Sequence, residues 1–153
     1  LLAQPDDVET ILQPFRQASV SPAPGLRVTI DRLFAADKVE DILAALRAET
    51  GPWAEKQQTR LASHSGITSK LSLRLLAQSA KRSDFAEQMR SEYRIATRIC
   101  RSHDFIEGVR ARLVDKDNSP HWKPATPEEV TDAMIGKLMA PLPAGEEWEP
   151  ATR

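Results

Sequence analysis

Cysteine is nearly absent from this sequence. Cys100 is the only one in 153 residues, which excludes an intrachain disulfide framework and any multi-cysteine zinc site and fits a reducing compartment. Glycine is scarce too, at six residues. No Gly-x-Gly-x-x-Gly, Walker loop or Gly-x-Ser-x-Gly elbow is present, so a glycine-lined oxyanion loop would have to come from elsewhere. No apolar run approaches the ~20 residues that a membrane span needs, so no membrane partner is expected. Charge of one sign is also lacking: 21 Lys+Arg against 22 Asp+Glu leaves a formal −1, which argues against a nucleic-acid binder, normally strongly basic. The chain starts at Leu1 with neither a charged n-region nor an apolar h-region, so no targeting segment is expected.

What is present is helical periodicity. Val8, Ile11, Leu12 and Phe15 fit one helix face behind Asp6-x-x-Glu9, which has capping-box form. Val39, Ile42, Leu43 and Leu46 repeat the pattern, with Asp37-x-x-Glu40 as the opening signal and Gly51 as the stop. A helix is expected over Pro52–Ala62, around Trp53 and Leu61. Another carries Ile67, Leu71 and Leu75, widened by Leu73 and Leu76. Phe85, Met89, Tyr93, Ala96 and Cys100 make the longest apolar stripe, with Ser83 as its N-cap and Asp84 at the positive end of the dipole. Thr126-Pro127-Glu128-Glu129 reads as a helix start, with Glu129 reaching back to the Thr126 amide; Val130, Met134 and Leu138 follow on one face.

The only strand candidate is the short run Leu26–Ile30. The fold class is therefore all-α, with about six helices, an ordered loop at 115–125 and a flexible tail over 143–153. Proline clusters at 22–24, 120–124 and 141–150 punctuate the helices. With three Trp, four Phe and one Tyr, the core is thin for the length, as suits an appendage packed on something larger.

Catalytic groups are few, and no residue is nominated as catalytic, cofactor-binding or metal-ligating. His64, His103 and His121 lie far apart. His103 and Glu107 share a helical face, yet a boundary role for Ser102-His103-Asp104, with Asp104 as helix cap, is the simpler reading. Cys100 continues the apolar stripe and reads as a small buried hydrophobe. Arg90, Arg94, Arg98 and Arg101 line one side of their helix, where like charges repel. They call for acidic neighbours such as Glu87, Glu92 or Asp104, or else a partner chain or an anionic phosphate. Lys70 and Arg74 read as a solvated face. In the segment 107–124, Asp115 and Asp117 are suited to Asx turns. Trp122, bracketed by Pro120 and Pro124, can cover apolar surface while its indole N–H finds a carbonyl.

Ser91-Glu92-Tyr93-Arg94, then His103-Asp104-Phe105-Ile106-Glu107-Gly108-Val109-Arg110-Ala111, Asp115-Lys116-Asp117 and Pro120-His121-Trp122-Lys123-Pro124 resemble the C-terminal region of the 3-hydroxyisobutyryl-CoA hydrolases, of the crotonase (enoyl-CoA hydratase/isomerase) superfamily. Ser65-Gly66-Ile67-Thr68-Ser69-Lys70-Leu71-Ser72-Leu73-Arg74 resembles the preceding family stretch, with Gly66 where the family usually has Pro. The resemblance implies a fragment: the helical C-terminal region without the N-terminal ββα spiral that carries the CoA pocket, oxyanion hole and catalytic carboxylates. Leu1 in place of Met fits that reading. None of the family's catalytic positions falls within residues 1–153. The resemblance further implies acyl-CoA thioester hydrolysis in valine breakdown by the whole protein, with this part structural. No cofactor is expected, coenzyme A being part of the substrate. The implied partners are the N-terminal core of the same protein, the acyl-CoA through that core, and a possible homo-oligomer. The compartment would be mitochondrial in a eukaryote and cytoplasmic in a bacterium. The alternatives are an enoyl-CoA hydratase or isomerase, or a non-catalytic interaction subunit such as those of mitochondrial ribosomes.

Overall fold

A computed structural model describes residues 10–16 and 25–150. The chain divides after Arg32 into two units. In the first, a 3₁₀ turn spans Gln13–Phe15, and Ile11, Leu12 and Phe15 are exposed; the Asp6-x-x-Glu9 cap lies outside the described residues. The strand candidate is instead the start of helix α1 (Arg27–Leu33). The Ile30 amide bonds the Leu26 carbonyl at 2.8 Å, and Val28 is 79% exposed. A β-branched run without a sheet to pair with follows the local hydrogen bonds instead.

The second unit holds α2 (Val39–Ala48), α3 (Pro52–Ala62), α4 (Gly66–Ser79), α5 (Phe85–Ile99), α6 (His103–Val109) and α7 (Asp132–Met139). A single π-type turn (Arg110–Val114) continues α6, and a 3₁₀ turn (Pro127–Glu129) precedes α7. No strand occurs among the described residues, so the all-α class holds, with seven α-helices rather than about six.

Val39, Ile42, Leu43 and Leu46 of α2 are all buried, none more than 4% exposed, each contributing roughly 1.5–3 kcal/mol of transfer free energy. The cap is Lys38, without a side-chain bond, rather than Asp37. Gly51 (φ 111°) starts α3 rather than stopping α2, a backbone geometry that L side chains rarely adopt. The core is built in two parts around α4. Leu71 joins Ile95 of α5, Val130 and Ile135 of α7. Leu73 leans the other way, onto Leu33, Ile42 and Leu46.

Two expectations fail here for one reason: packing overrides local signals. Thr126 does not cap α7. The chain makes the 3₁₀ turn, extends at Val130, and restarts at Thr131, whose hydroxyl accepts the Met134 amide; Glu129 bonds the Ala125 amide instead of Thr126. This detour drops Val130 into the core (3% exposed) and makes Ile135 rather than Met134 the buried residue of α7. In α5 the cap is Asp84 rather than Ser83. Of the expected stripe, Phe85, Tyr93, Ala96 and Cys100 face solvent, with Phe85 73% exposed, and Met89 is half-buried, while Ser91 and Ile95 are buried. Cys100 is thus exposed, not a core hydrophobe.

Gly66 marks the tightest approach. A Cβ there would lie 2.9 Å from Pro127 Cα, whereas Gly136 has open space. Gly66→Ala should therefore destabilise by about 1–3 kcal/mol through forced backbone displacement, and Gly136→Ala should stabilise α7 by about 0.5–1 kcal/mol. Urea unfolding of both variants, followed by circular dichroism, measures the contrast.

Candidate functional site

The N-termini of α4 and α6 meet the 115–124 loop at one corner of the second unit. Ser65 caps α4 by accepting the Thr68 amide at 3.2 Å. The same hydroxyl donates to Asp104 Oδ2 at 2.5 Å. Asp104, 4% exposed, also accepts the Lys123 amide at 2.8 Å and stands 3.1 Å from His103 Nδ1. The cap of α6 is Ser102, which accepts the Phe105 amide. Asp104 is therefore a buried cross-link between three segments and not the helix cap, because a buried carboxylate must be supplied with donors.

Arg110 organises the loop. Its guanidinium holds Glu107 through two bonds (2.9 and 2.8 Å), Asp115 at 2.7 Å, Asp117 at 2.6 Å and the Ser119 carbonyl at 3.1 Å. Glu107 also accepts the His121 amide at 2.7 Å. The Arg110 bonds and that amide pull the Glu107 carboxyl down from 4.5 to about 2. Arg110 hydrogen bonds first, and the Ser119 amide second, lower Asp117 as well; the guanidinium is raised in turn, by Glu107 above all. Asp117 makes the expected Asx contact to the Ser119 amide at 2.9 Å, while Asp115 is spent on Arg110. Lys116 (φ 58°) and Asn118 (φ 54°) take left-handed backbone conformations. Trp122 behaves as its proline bracket implies: the indole N–H donates to the Ser63 carbonyl at 3.0 Å, and the ring lies over Gly108, where a Cβ would come to 3.4 Å.

These elements wall a groove of about 820 Å³ with an apolar lining that includes Phe34, Leu73, Leu76, Phe105, Val109 and Trp122. Leu76 is 68% exposed. The titratable groups on it are His64, Asp104 and Arg112. Asp104 is committed as above, and Arg112 donates to Asn118 at 2.7 Å. No grouping of three or more His, Cys, Asp or Glu able to hold a metal ion occurs among the described residues. His103 turns to Asp104 and Glu107 to Arg110, so the two do not converge.

Several basic residues outside the groove are also tied. Lys70, expected to be solvated, is largely buried against Glu40 (2.5 Å) and the Val130 carbonyl (2.8 Å). Burial pushes the Glu40 carboxyl up, but Lys70 more than offsets it and the group lies below its ordinary value. Arg74 reaches Asp132 at 3.0 Å. Two arginines of α5 find acidic partners within the chain, though not Glu87, Glu92 or Asp104. Arg94 holds Glu147 (2.8 and 3.0 Å), Arg90 holds Glu149 (2.8 Å), and Arg98 donates to the carbonyls of Leu138, Ala140 and Pro141. No signal short of the tertiary fold could have matched α5 to residues over fifty positions away.

Residues 2–139 match the family described as enoyl-CoA hydratase/isomerase. The chain belongs to that family. Curated relatives include the mitochondrial 3-hydroxyisobutyryl-CoA hydrolases of Gallus gallus and Danio rerio, each 41% identical over 113 residues, 74% of this chain and 29% of theirs. The chain therefore spans less than a third of the length of those relatives. A carnitinyl-CoA dehydratase from Mycobacterium thermoresistibile superposes with a TM-score of 0.77 at 36% identity, over 84% of this chain and 37% of that one. An enoyl-CoA hydratase from Rhodobacter sphaeroides 2.4.1 gives 0.78 at 30% identity, over 93% and 43%. The helical architecture is thus a family feature, and the hydrolase-like segments pointed to the right superfamily.

The Arg110 cluster has a pH signature. Because Glu107 is depressed in the folded state, its stabilising contribution is full above its unfolded value of 4.5 and is lost as pH falls toward about 2. Thermal unfolding of the wild type and Glu107→Gln should differ most above pH 4.5 and converge near pH 2. A gap that stays constant across this range would contradict the assignment.

Proposed function

We propose that this chain is the helical C-terminal part of an acyl-CoA thioester hydrolase acting on 3-hydroxyisobutyryl-CoA in valine breakdown, and that it is structural rather than catalytic by itself. Supporting this reading is one coincidence above the rest. The segment most like the hydrolases, residues 103–124, is where the carboxylates and the guanidinium are consumed by internal bonds: Asp104 by three segments, Glu107, Asp115 and Asp117 by Arg110. A general acid or base needs a lone pair or proton free to face the substrate, and these groups have partners instead. The thioester carbonyl would be polarised by backbone amides, and water activated by a carboxylate, in a core that this chain does not contain.

On this reading the apolar groove is the seat of that core. The N-terminal core is then the principal partner and acyl-CoA is met through it. Coenzyme A enters as part of the substrate, with no separate cofactor, and a homo-oligomer remains compatible. The relatives named mitochondrial support the same compartment for a eukaryotic source; a bacterial source implies the cytoplasm. The second reading, a hydratase or isomerase, draws support from the two similar solved structures, a carnitinyl-CoA dehydratase and an enoyl-CoA hydratase. The third, a non-catalytic interaction subunit, has less to rest on, because within the chain Arg90 and Arg94 already meet Glu149 and Glu147 and Arg98 meets backbone carbonyls.

The isolated 153-residue chain should release no CoA from 3-hydroxyisobutyryl-CoA above the buffer rate, whereas a longer polypeptide containing it should release CoA without hydrating an enoyl-CoA. Turnover by the chain alone would overturn the structural role. Hydration without CoA release by the longer polypeptide would favour the second reading.

A further inference from the structure

Beyond α7 the chain does not simply trail off. Arg98 gathers the carbonyls of Leu138, Ala140 and Pro141, which the end of a helix leaves without partners. Next comes a tight turn, with Gly145 at φ 84° and the Glu146 amide bonded to the Pro143 carbonyl at 3.0 Å. The turn aims Glu147 back at the Leu142 amide (2.8 Å) and at Arg94, and two residues later Glu149 meets Arg90. Arg90 and Arg94 are four apart and share a face of α5. The Glu-Trp-Glu spacing of an extended segment matches that one-turn step.

The hold is polar. No residue of 140–150 is buried; Leu142 and Trp148 are only half covered. The core side of α5, carried by Ser91, Ile95 and Ile99, packs elsewhere. Of the two ion pairs, Arg90–Glu149 is open to solvent at Glu149, which is 66% exposed, while the Arg94 and Glu147 side chains are largely covered; an exposed pair contributes little and is screened by salt. Segments with few buried apolar contacts open locally while the rest stays folded. In place, partial burial pushes the Glu147 carboxyl up, but the Leu142 amide and Arg94 outweigh it and the group lies below its ordinary value.

We propose that residues 142–149 form a detachable strap, and that the Arg90–Arg94 face beneath is a docking site for an acidic segment presenting two carboxylates two residues apart. The chain's own Glu147 and Glu149 occupy it in cis. A tethered segment competes at millimolar effective concentration, so an external acidic segment gains access only when the strap is weakened or outcompeted. This arginine face is distinct from the groove and does not depend on which reaction the whole protein performs.

Two measurements on the full chain test it. Hydrogen exchange followed by mass spectrometry should show peptides covering 142–149 losing protection between about 20 mM and about 300 mM salt while α5 keeps its own; strap and α5 exchanging together would overturn detachability. A fluorescein-labelled synthetic peptide of residues 142–150 should bind Glu147→Gln/Glu149→Gln at least about tenfold more tightly than the wild type, because the tethered competitor is gone. Adding Arg94→Gln should abolish that binding. Equal binding to wild type and double variant, or binding that survives Arg94→Gln, would overturn the docking site. A variant that lost its helical signal would leave the salt-dependent exchange of the wild type to decide.

Discussion

A single buried carboxylate fixes the corner on which the rest of this structure turns. Asp104 cannot be left in a dry environment without donors, and two reach it from distant parts of the chain, the Ser65 hydroxyl and the Lys123 amide, with the adjacent His103 ring nitrogen 3.1 Å away. Satisfying it sets where α6 begins relative to α4 and where the loop returns. The Ser65 hydroxyl does double duty, donating to Asp104 while accepting the Thr68 amide as the cap of α4. Removing such a bond leaves a buried group unsatisfied, a loss of roughly 1–3 kcal/mol, and here the penalty would fall on both helix starts. The groove inherits its shape from this corner, since Ser63, Ser65, Asp104 and Trp122 all border it.

Charge is spent locally and almost completely around that corner. Arg110 binds three carboxylates and a carbonyl, which compensates a loop rich in acids and stabilises left-handed backbone at Lys116 and Asn118. Such over-determination is usually a sign of a segment that must keep one shape. The loop's service is geometric: it positions Trp122 and the wall behind it.

Legibility in the sequence followed the range of the determining interaction. The bounds of α3, Pro52–Ala62, were readable because Pro at the first turn and local periodicity set them. The fully buried face of α2 was readable from spacing alone. So was the Trp122 indole bond, since a proline-bracketed Trp in a loop has few other ways to satisfy its N–H. What failed was decided at a distance. Thr126-Pro127-Glu128-Glu129 has every local feature of a helix start, but the close approach of Pro127 to Gly66 and the burial of Val130 delay the helix to Thr131. The Leu26–Ile30 run lacks a strand to pair with and coils. The acidic mates of the α5 arginines lie some fifty residues on, beyond any spacing rule.

Helix α5 shows why periodicity alone could not locate its inner face. It has three faces instead of two. Ser91, Ile95 and Ile99 meet the core, Arg90, Arg94 and Arg98 receive the C-terminal segment, and Phe85, Tyr93 and Cys100 look outward. An amphipathic pattern names the most apolar side, and a free-standing domain would bury that side. Here the helix buries a narrower strip containing a serine and leaves the broader apolar one open. On the proposed reading, in which a further core packs against these helices, that inversion is intelligible. The groove likewise leaves apolar surface open, which would be a liability in an isolated monomer, in a chain whose match spans less than a third of its curated relatives.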